Sequence, residues 1–213
     1  MSNQVEISIH KPFGPRIGQG KIPYEIIDQI NNFVDEISEN QTEMEKLNAG
    51  PQLVGEVSQE IKLPPNIINL GLIDYVSKLT KAFILASTGR EITEFRLISA
   101  WVVRQYQGEY NPSHWHDGHI SGAGYIKLPK KFGENIQENK SNNFNGNINF
   151  IHGSRQFLSR SIKTAKPEVG DIYVFPNYLM HSVNPFYGEG ERRSISFNAF
   201  VDENIFNVYG LRN

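Results

Sequence analysis

The sequence predicts a mainly β fold, a barrel or jelly roll, flanked by N-terminal α-helices. Its 213 residues suit one domain of that size. Apolar residues recur at helical spacing before residue 90, whereas short β-rich segments separated by turn residues follow after it. We therefore expect a single domain over residues 1–213, with helical support at about 20–90 and a β core at about 94–202.

Two amphipathic helices are predicted ahead of the β core. From Pro23 to about Asn40, isoleucine, phenylalanine and valine recur at helical spacing, and a proline suits the first turn of a helix. A second helix is predicted from Ile67 to Ser87, where Gly89 provides a stop signal. Residues 41–65 are polar and hold Gly-Pro and Pro-Pro turns, so we expect a loop with at most a short helical piece. Both helices are expected to pack on the outside of the sheet.

The β core is predicted as a series of short strands that alternate with turn signals. The predicted strands cover residues 5–10, 95–106, 111–116, 121–128, 147–151, 171–175 and 192–201. Residues 129–146 are polar and rich in asparagine, which indicates a long insertion of the kind that often covers an active site. We expect this insertion and the N-terminal helices to frame the entrance to such a site.

The composition excludes several classes of site and partner. The chain contains no cysteine, which excludes disulfides, thiolate catalysis and cysteine-ligated zinc or iron–sulfur sites. A net charge of −2 gives no indication of a nucleic-acid partner, and no apolar run approaches the ~20 residues that span a bilayer. The N-terminus shows no basic stretch followed by an apolar one, as a secretory signal would. We expect a cytoplasmic protein without a membrane partner.

Histidines are concentrated in one short segment, which reads His-Trp-His-Asp-Gly-His over residues 114–119. Side chains two apart in a strand face the same way, so His114 and His116 can reach one metal ion. His181 follows a Gly-Asp turn and a short apolar strand, and it is the best candidate for a third ligand. Two histidines and a carboxylate on one face, with open positions, is the arrangement of non-haem Fe(II) oxygenases, and Asp117 is the nearest carboxylate. The alternative interpretation is a surface loop with incidental histidines.

A second unusual pattern lies in the last predicted strand. Arg192, Ser194, Ser196 and Asn198 share one face of this strand. A guanidinium group offers a planar fork for a carboxylate, and a serine two residues on adds a hydroxyl donor. The pattern therefore predicts an anion site, with the solvent-facing side of an edge strand as the alternative. Arg193 also precedes Ser194, but face alternation favours Arg192.

The order of these segments resembles the 2-oxoglutarate/Fe(II)-dependent dioxygenase superfamily. A histidine-bearing strand and an aromatic strand are followed by a Gly-Asp turn, an apolar strand, His181-x-Val183-x-Pro185 and an Arg-x-Ser-Ile motif. Within the superfamily the chain is similar to prolyl-hydroxylase-like oxygenases found in marine bacteria and phages, over about residues 100–200. The resemblance implies a cupin-like double-stranded β-helix, Fe(II), and 2-oxoglutarate and O₂ as co-substrates.

The resemblance also implies roles for individual residues. His181 would be the distal iron ligand, and Arg192, helped by Ser194, would pair with the far carboxylate of 2-oxoglutarate. Tyr125 falls where prolyl hydroxylases keep a tyrosine that binds the co-substrate. Tyr106 matches a tyrosine that lines the pocket upstream of the first ligand strand.

The chain departs from the superfamily in its first metal motif. The usual His-x-Asp or His-x-Glu is replaced by His114-Trp115-His116. Either His116 takes the place of the carboxylate, or Asp117 does so through a register shift. The metal site predicted here is His114, His116 and His181, without the negative charge of a carboxylate.

Two other functions remain compatible with the residues. A cupin-like metalloenzyme would use the same three histidines without 2-oxoglutarate, and a non-enzymatic jelly-roll binding module would carry them by chance. The module predicts no bound metal and a solvent-facing Arg192. The sequence leaves the substrate open, and a homodimer is a further expectation, because exposed strands in such folds often pair.

Overall fold

Two antiparallel β-sheets face each other in the computed structural model, which describes residues 6–10 and 14–206. In chain order the strands are β1 (Ile7–His10), β2 (Ile17–Lys21), β3 (Gln59–Lys62), β4 (Phe95–Gln105), β5 (Asn111–His114), β6 (Ile120–Lys127), β7 (Ile148–Ile151), β8 (Ile162–Ala165), β9 (Asp171–Pro176), β10 (Met180–Val183) and β11 (Arg192–Val201). The large sheet has the order β1-β2-β9-β6-β11-β4-β3, and the small sheet has the order β5-β10-β7-β8. The predicted double-stranded β-helix is confirmed.

Within the described residues, four of the helices lie between β2 and β4 in the chain, and one follows β11. They are α1 (Tyr24–Ser38), α2 (Gln41–Lys46), α3 (Pro65–Ile67), α4 (Ile73–Thr88) and α5 (Glu203–Phe206), with a 3₁₀ turn at Gly50–Gln52 and a π-helical turn at Ile68–Leu72. Among the residues that the structure describes, no helix combines the length and the apolar character needed to cross a membrane.

The apolar faces of α1 and α4 cover the outer face of the large sheet, as predicted. Ile30 and Val34 of α1 and Leu79 of α4 are buried in one cluster with Val102 and Phe197 of the sheet. These residues recur at helical spacing on the helices and at every second position on the strands, so each element buries one face. This layer supports the large sheet from outside and leaves its inner face for the small sheet.

The space between the sheets holds a second, smaller core. Tyr125, Phe150, Phe175 and Leu179 are fully buried in it. These large side chains fill one part of the interior. The remaining part of the interior is lined by polar and apolar side chains together.

Strand β11 shows how one sequence pattern forms both sides of the large sheet. Ile195 and Phe197 lie in the core beneath the helices. Ser194, Ser196 and Asn198 point between the two sheets. Successive side chains of a strand face opposite ways, so the polar residues of β11 lie inside the molecule.

The structure differs from the sequence prediction in two helical regions. The helix predicted from residue 67 is interrupted, because Gly71 has a φ of +119° and the regular helix α4 begins at Ile73. The loop predicted over residues 41–65 contains helix α2 and strand β3. The first predicted strand begins at residue 5, which lies outside the described residues, and β1 accounts for its remainder.

Candidate active site

A cavity of about 160 Å³ lies between the facing surfaces of the two sheets. The large sheet contributes residues of β3, β4, β6 and β11, and the small sheet contributes residues of β5, β7 and β10. Residues 52–55, which begin with the last residue of the 3₁₀ turn, close one side of the cavity. The cavity contains the three predicted metal ligands and the predicted anion site.

The imidazole rings of His114, His116 and His181 meet in this cavity. His114 ends β5 and lies directly opposite His181 of β10 in the small sheet, and His116 follows two residues later. The candidate ligand atoms of the three rings lie within 4.8 Å of one another, and the Nε2 atoms of His114 and His116 are 3.1 Å apart. Two nitrogens bound at right angles to one ion, each at about 2.1 Å, are about 3 Å apart. The three histidines thus have the spacing that a metal ion requires.

The backbone fixes which nitrogen two of these rings offer. The Nδ1–H of His114 donates to the carbonyl oxygen of Pro112 at 2.7 Å, and that of His181 donates to the carbonyl oxygen of Leu179 at 3.0 Å. A carbonyl oxygen only accepts, so the hydrogen lies on Nδ1 and the lone pair lies on Nε2. Both rings therefore offer Nε2 to the cavity.

Asn198 fixes the nitrogen that the ring of His116 offers to the cavity. The Nδ1–H of His116 donates to Oδ1 of Asn198 at 2.8 Å, and the hydroxyl of Ser121 donates to the same oxygen at 2.9 Å. The ring of Trp101 lies 5.5 Å from that of His116, measured between centroids. Hydrogen bonds of this kind fix the tautomer and orientation of a metal-binding imidazole.

Burial keeps all three imidazoles neutral. It lowers the pKa of His114, lowers that of His116 to about 4, and lowers that of His181 well below its usual value. The ring of His114 also opposes protonation of His116, and both rings oppose protonation of His181. Metal ions bind the neutral form of histidine, so the cluster is ready for a metal at neutral pH.

Asp117 lies apart from this cluster. Its side chain is exposed at the edge of the cavity, whereas His116 is buried within it. Among the described residues, the group able to hold a metal consists of His114, His116 and His181. The structure thus brings together the three predicted histidines and leaves the carboxylate of Asp117 outside.

Arg192 is a buried cation in the same cavity. The residue is 1% exposed, and its Nη1 donates to Oε1 of Gln105 at 3.1 Å and to Oγ of Ser194 at 3.4 Å. Its guanidinium carbon lies 4.9 Å from the ring centroid of Tyr125. Within residues 6–10 and 14–206, the Nε of Arg192 and the hydroxyl of Tyr125 have no hydrogen-bond partner, and no carboxylate pairs with Arg192. A buried charge without a counter-ion is costly, so this position suits an anionic ligand.

Arg193 has a different environment, on the opposite face of β11. Its Nε and Nη2 donate to the carboxylate of Glu191 at 2.7 and 2.9 Å, and Nη2 also donates to Asp35 of α1 at 2.6 Å. Glu191 additionally accepts from Arg104 at 2.6 Å, and these partners lower the pKa of Glu191 to about 2. Arg193 thus ties the sheet to α1, and its charge is already paired.

The structure does not bring Tyr106 to the cavity. Tyr106 directly follows β4, two residues after Arg104, and so its side chain points to the same side as that of Arg104. The guanidinium carbon of Arg104 lies 5.6 Å from the ring centroid of Tyr106. The cavity is lined instead by Trp101 and Val103, on the other face of the strand. Tyr106 therefore does not line the pocket as the resemblance implied, whereas Tyr125 and Ser194 do line the cavity.

The insertion over residues 129–146 does not cover the cavity either. Its two ends line a separate, open groove with residues 187–191. Residues 52–55 occupy the position at the cavity that was expected for the insertion. The helices α1 and α4 lie on the far side of the large sheet. The predicted frame of the entrance was therefore wrong.

Two buried polar residues of the cavity were not predicted from the sequence as part of a site. Glu60 lies on β3, in a segment predicted as a loop, and Asn111 lies on β5. Both are buried. The segment Gln59–Lys62 is four residues long and carries one apolar side chain, so its pattern contains no signal of an inward-facing carboxylate.

Residues 99–198 match the sequence model of the family described as "Putative 2OG-Fe(II) oxygenase". The matched segment contains the three histidines, Tyr125, Arg192, Ser194 and Asn198. A comparison with curated protein sequences gave no match.

Solved structures share the fold. The viral collagen prolyl hydroxylase vCPH from Paramecium bursaria Chlorella virus-1, solved as a 2-oxoglutarate complex, aligns with a TM-score of 0.54 and 17% identity over 86% of this chain and 94% of its own. A Pseudomonas putida prolyl-4-hydroxylase aligns with a TM-score of 0.53 and 14% identity over 85% and 91% of the two chains. HygX from Streptomyces hygroscopicus, solved with nickel and 2-oxoglutarate bound, aligns with a TM-score of 0.54 and 11% identity over 88% and 82%.

The neighbours and the family match agree. At these identities the solved structures establish the architecture alone, and the family match covers the segment that carries the three histidines and Arg192. Over residues 99–198 the chain is thus similar in sequence to the family of 2-oxoglutarate/Fe(II)-dependent oxygenases, and it shares the fold of the solved structures.

Proposed function

We propose that this protein is an oxygenase that hydroxylates a C–H bond of its substrate, with Fe(II) held by His114, His116 and His181 and with 2-oxoglutarate held by Arg192. The observation that carries the proposal is the presence, in one cavity, of three Nε2 atoms and a buried arginine without a counter-ion. The nitrogens suit a metal ion, and the arginine suits a ligand with a free carboxylate.

The residues present fit Fe(II) by number and type of donor. Imidazole is a common ligand of iron, and three protein ligands leave coordination positions for exogenous ligands. The hydrogen bonds from Nδ1 to Pro112, Leu179 and Asn198 hold the three rings in the ligating tautomer. When bound, the iron and 2-oxoglutarate supply the oxidation of a C–H bond by O₂, with 2-oxoglutarate converted to succinate and CO₂.

The protein's own part is to hold the co-substrate and to exclude water. Arg192 would donate to the far carboxylate, with the hydroxyls of Ser194 and Tyr125 as further donors. Support comes from the unpartnered Nε of Arg192 and hydroxyl of Tyr125, which both become hydrogen-bonded in such an arrangement. Ile148 and Val183 give this end of the cavity an apolar wall, which strengthens electrostatic contacts within it.

The all-histidine ligand set favours a second candidate, a cupin-like metalloenzyme that works without 2-oxoglutarate. The observation behind it is the absence of a carboxylate from the group of described residues able to hold a metal. This candidate assigns no ligand to Arg192, whose burial without a counter-ion then has no function. For that reason we favour the oxygenase with 2-oxoglutarate.

The test is an anaerobic titration of the Fe(II)-loaded protein with 2-oxoglutarate. Chelation of an α-keto acid to an open Fe(II) site of this type gives a weak visible charge-transfer band near ~500 nm. We expect the band in the wild type and in Arg155→Ala, which changes an exposed arginine outside the cavity lining. In Arg192→Ala we expect loss of the band or a large rise in the Kd for 2-oxoglutarate. Stoichiometric iron without the band would support the cupin-like candidate, and no bound metal would contradict both.

Three further expectations stay predictions. They are the extent of the chain as one domain, a cytoplasmic location and a homodimer. Sedimentation of the purified protein measures the last of these.

A further inference from the structure

Glu60 lies at the end of the cavity opposite to Tyr125. In the large sheet it pairs with Val103, which pairs with Ser194, which pairs with Tyr125. Neighbouring strands are about 4.8 Å apart, so the backbone of Glu60 lies about 10 Å from that of Ser194 and about 14 Å from that of Tyr125. The proposed 2-oxoglutarate site and Glu60 thus occupy different ends of one row of inward-facing residues.

Glu60 is a buried residue whose carboxyl group lines the cavity without a partner. The residue is 4% exposed, and no side chain within residues 6–10 and 14–206 forms a hydrogen bond or an ion pair with its carboxyl group. Burial alone raises its pKa to about 7, and the other ionisable groups of the cavity do not contribute. They are His114, His116, His181, Asp117, Tyr125 and Arg192. A carboxyl group kept in such a place costs stability, which indicates a ligand.

Gly55 and Asn111 complete a small recess around this carboxyl group. A Cβ built on Gly55 would lie 2.8 Å from Oε1 of Glu60 and 2.5 Å from Oδ1 of Asn111. The two side-chain oxygens therefore converge above Gly55, where any other residue would fill the space. Both oxygens are acceptors when Glu60 is ionised, so the recess suits a group with several N–H donors.

The rim of the recess is apolar. Leu53, Val54 and Trp115 line the cavity beside the polar residues, and Trp115 is 66% exposed. Such a rim suits the methylene groups of an aliphatic chain, whose transfer from water is worth about 0.8 kcal/mol for each CH₂ that becomes buried. The recess and its rim together match a cation on an aliphatic stem.

We propose that Glu60 and Asn111 form a substrate subsite that binds an aliphatic ammonium or guanidinium group. The inference rests on the proposed function, because it takes the histidine end of the cavity as the reaction centre. A bound cation keeps Glu60 ionised and satisfies both acceptors. Its aliphatic stem then extends along the cavity towards the histidines. The cation is carried either by a free amine or by a lysine or arginine side chain of a peptide.

The test compares cationic probes with neutral ones of the same shape. The anaerobic protein, loaded with Fe(II) and 2-oxoglutarate at pH 8, is titrated calorimetrically with n-butylammonium and n-butylguanidinium, and with 1-butanol and n-butylurea as neutral partners. Nα-acetyl-lysine methylamide separates a peptide side chain from a free amine. We expect the cations to bind at least about tenfold more tightly than their neutral partners, as for a charge-assisted pair.

Three variants locate the binding. Glu60→Gln keeps the shape of the side chain and should remove the preference for cations. Gly55→Ala should weaken all probes, because its Cβ fills the recess. Asp117→Asn removes the exposed carboxylate of the same cavity and should keep the preference. An equal loss in Asp117→Asn and Glu60→Gln would overturn the assignment, since the cation would then respond to general negative charge.

The outcome for the subsite is separable from that for the proposed function. The charge-transfer band of the Fe(II)–2-oxoglutarate complex should form in Glu60→Gln as in the wild type, which also shows that the variant is folded. A band in the wild type without any preference for cations would overturn the subsite alone. Failure of the band in the wild type would overturn the proposed function.

Discussion

Arg192 and Arg193 are adjacent in β11, and replacing each of them with methionine should change the stability of the protein in opposite directions. Arg192 is buried without a carboxylate partner, whereas Arg193 is paired with Glu191 and Asp35. Replacing Arg192 with methionine removes an uncompensated charge from the interior at nearly constant volume. Since Gln105 and Ser194 already offset part of its desolvation, we expect a gain of about 1–3 kcal/mol in the free energy of unfolding without ligand.

Arg193→Met is the matched control. It leaves the buried carboxylate of Glu191 with Arg104 and Lys127 as its remaining cationic partners, so we expect a loss of about 2–4 kcal/mol. For a chain of this size, 1 kcal/mol corresponds to about 2–4 °C in Tm. The two variants should therefore melt on opposite sides of the wild type.

Thermal melts with and without 2-oxoglutarate, in the presence of Mn(II), complete the assay. A ligand at 100 times its Kd stabilises a protein by about 2.7 kcal/mol, and this increment should be present in the wild type and lost in Arg192→Met. If Arg192→Met melts below the wild type without ligand, or keeps the full increment, then the guanidinium group is not a vacant anion site and the reasoning is refuted.

Three other predictions concern the metal site and Glu60. Asn198→Ala should weaken Mn(II) binding by about 10–100-fold, because the ring of His116 loses its orienting acceptor; an unchanged Kd by calorimetry would remove Asn198 from that role. Mn(II) should bind at least about tenfold more tightly with 2-oxoglutarate present, because the neutral ligand set leaves the charge of the ion uncompensated; equal affinities would contradict this. Burial raises the pKa of Glu60 from 4.5 to about 7, so the folded state binds more protons between these values and its stability falls as pH rises through them. Glu60→Gln should therefore be more stable than the wild type above pH 7, by up to about 3 kcal/mol, and equally stable below pH 4. Denaturant titrations at the two pH values measure the difference in the free energy of unfolding. A gain in stability at pH 4 would point to a cause other than ionisation of Glu60.

Strand periodicity predicted the best-defined parts of the fold and site. The alternation of polar and apolar residues in β11 predicted its bounds and the common face of Arg192 and Asn198, both of which line the cavity. The same reasoning from two-residue spacing brought His114 and His116 together. Local pattern was sufficient there because one face of the strand is buried in each sheet.

Elements that depend on distant partners were not predicted. Strands β2, β3, β8 and β10 were missed; they have four or five residues each, and at that length periodicity alone does not separate a strand from a loop. Their pairing partners lie elsewhere in the chain, as with β3 and β4. Because β3 was missed, Glu60 was missed with it.

The alternation of side chains along β4 explains why Tyr106 lies outside the cavity. Trp101, Val103 and Gln105 face the inside of β4, so Arg104 and Tyr106 face outwards. The resemblance implied a role for Tyr106 irrespective of the face of β4 on which its side chain lies. The sequence shows that Arg104 and Tyr106 share one face of β4. Which of the two faces points into the cavity is fixed only when β4 pairs with β11.

A crystal structure of the protein grown anaerobically with Fe(II) and 2-oxoglutarate tests the central claim most directly. The account predicts anomalous iron density bonded to Nε2 of His114, His116 and His181, with the far carboxylate of 2-oxoglutarate on the guanidinium group of Arg192. Iron bonded to Asp117 in place of His116, or 2-oxoglutarate bound away from Arg192, would contradict it.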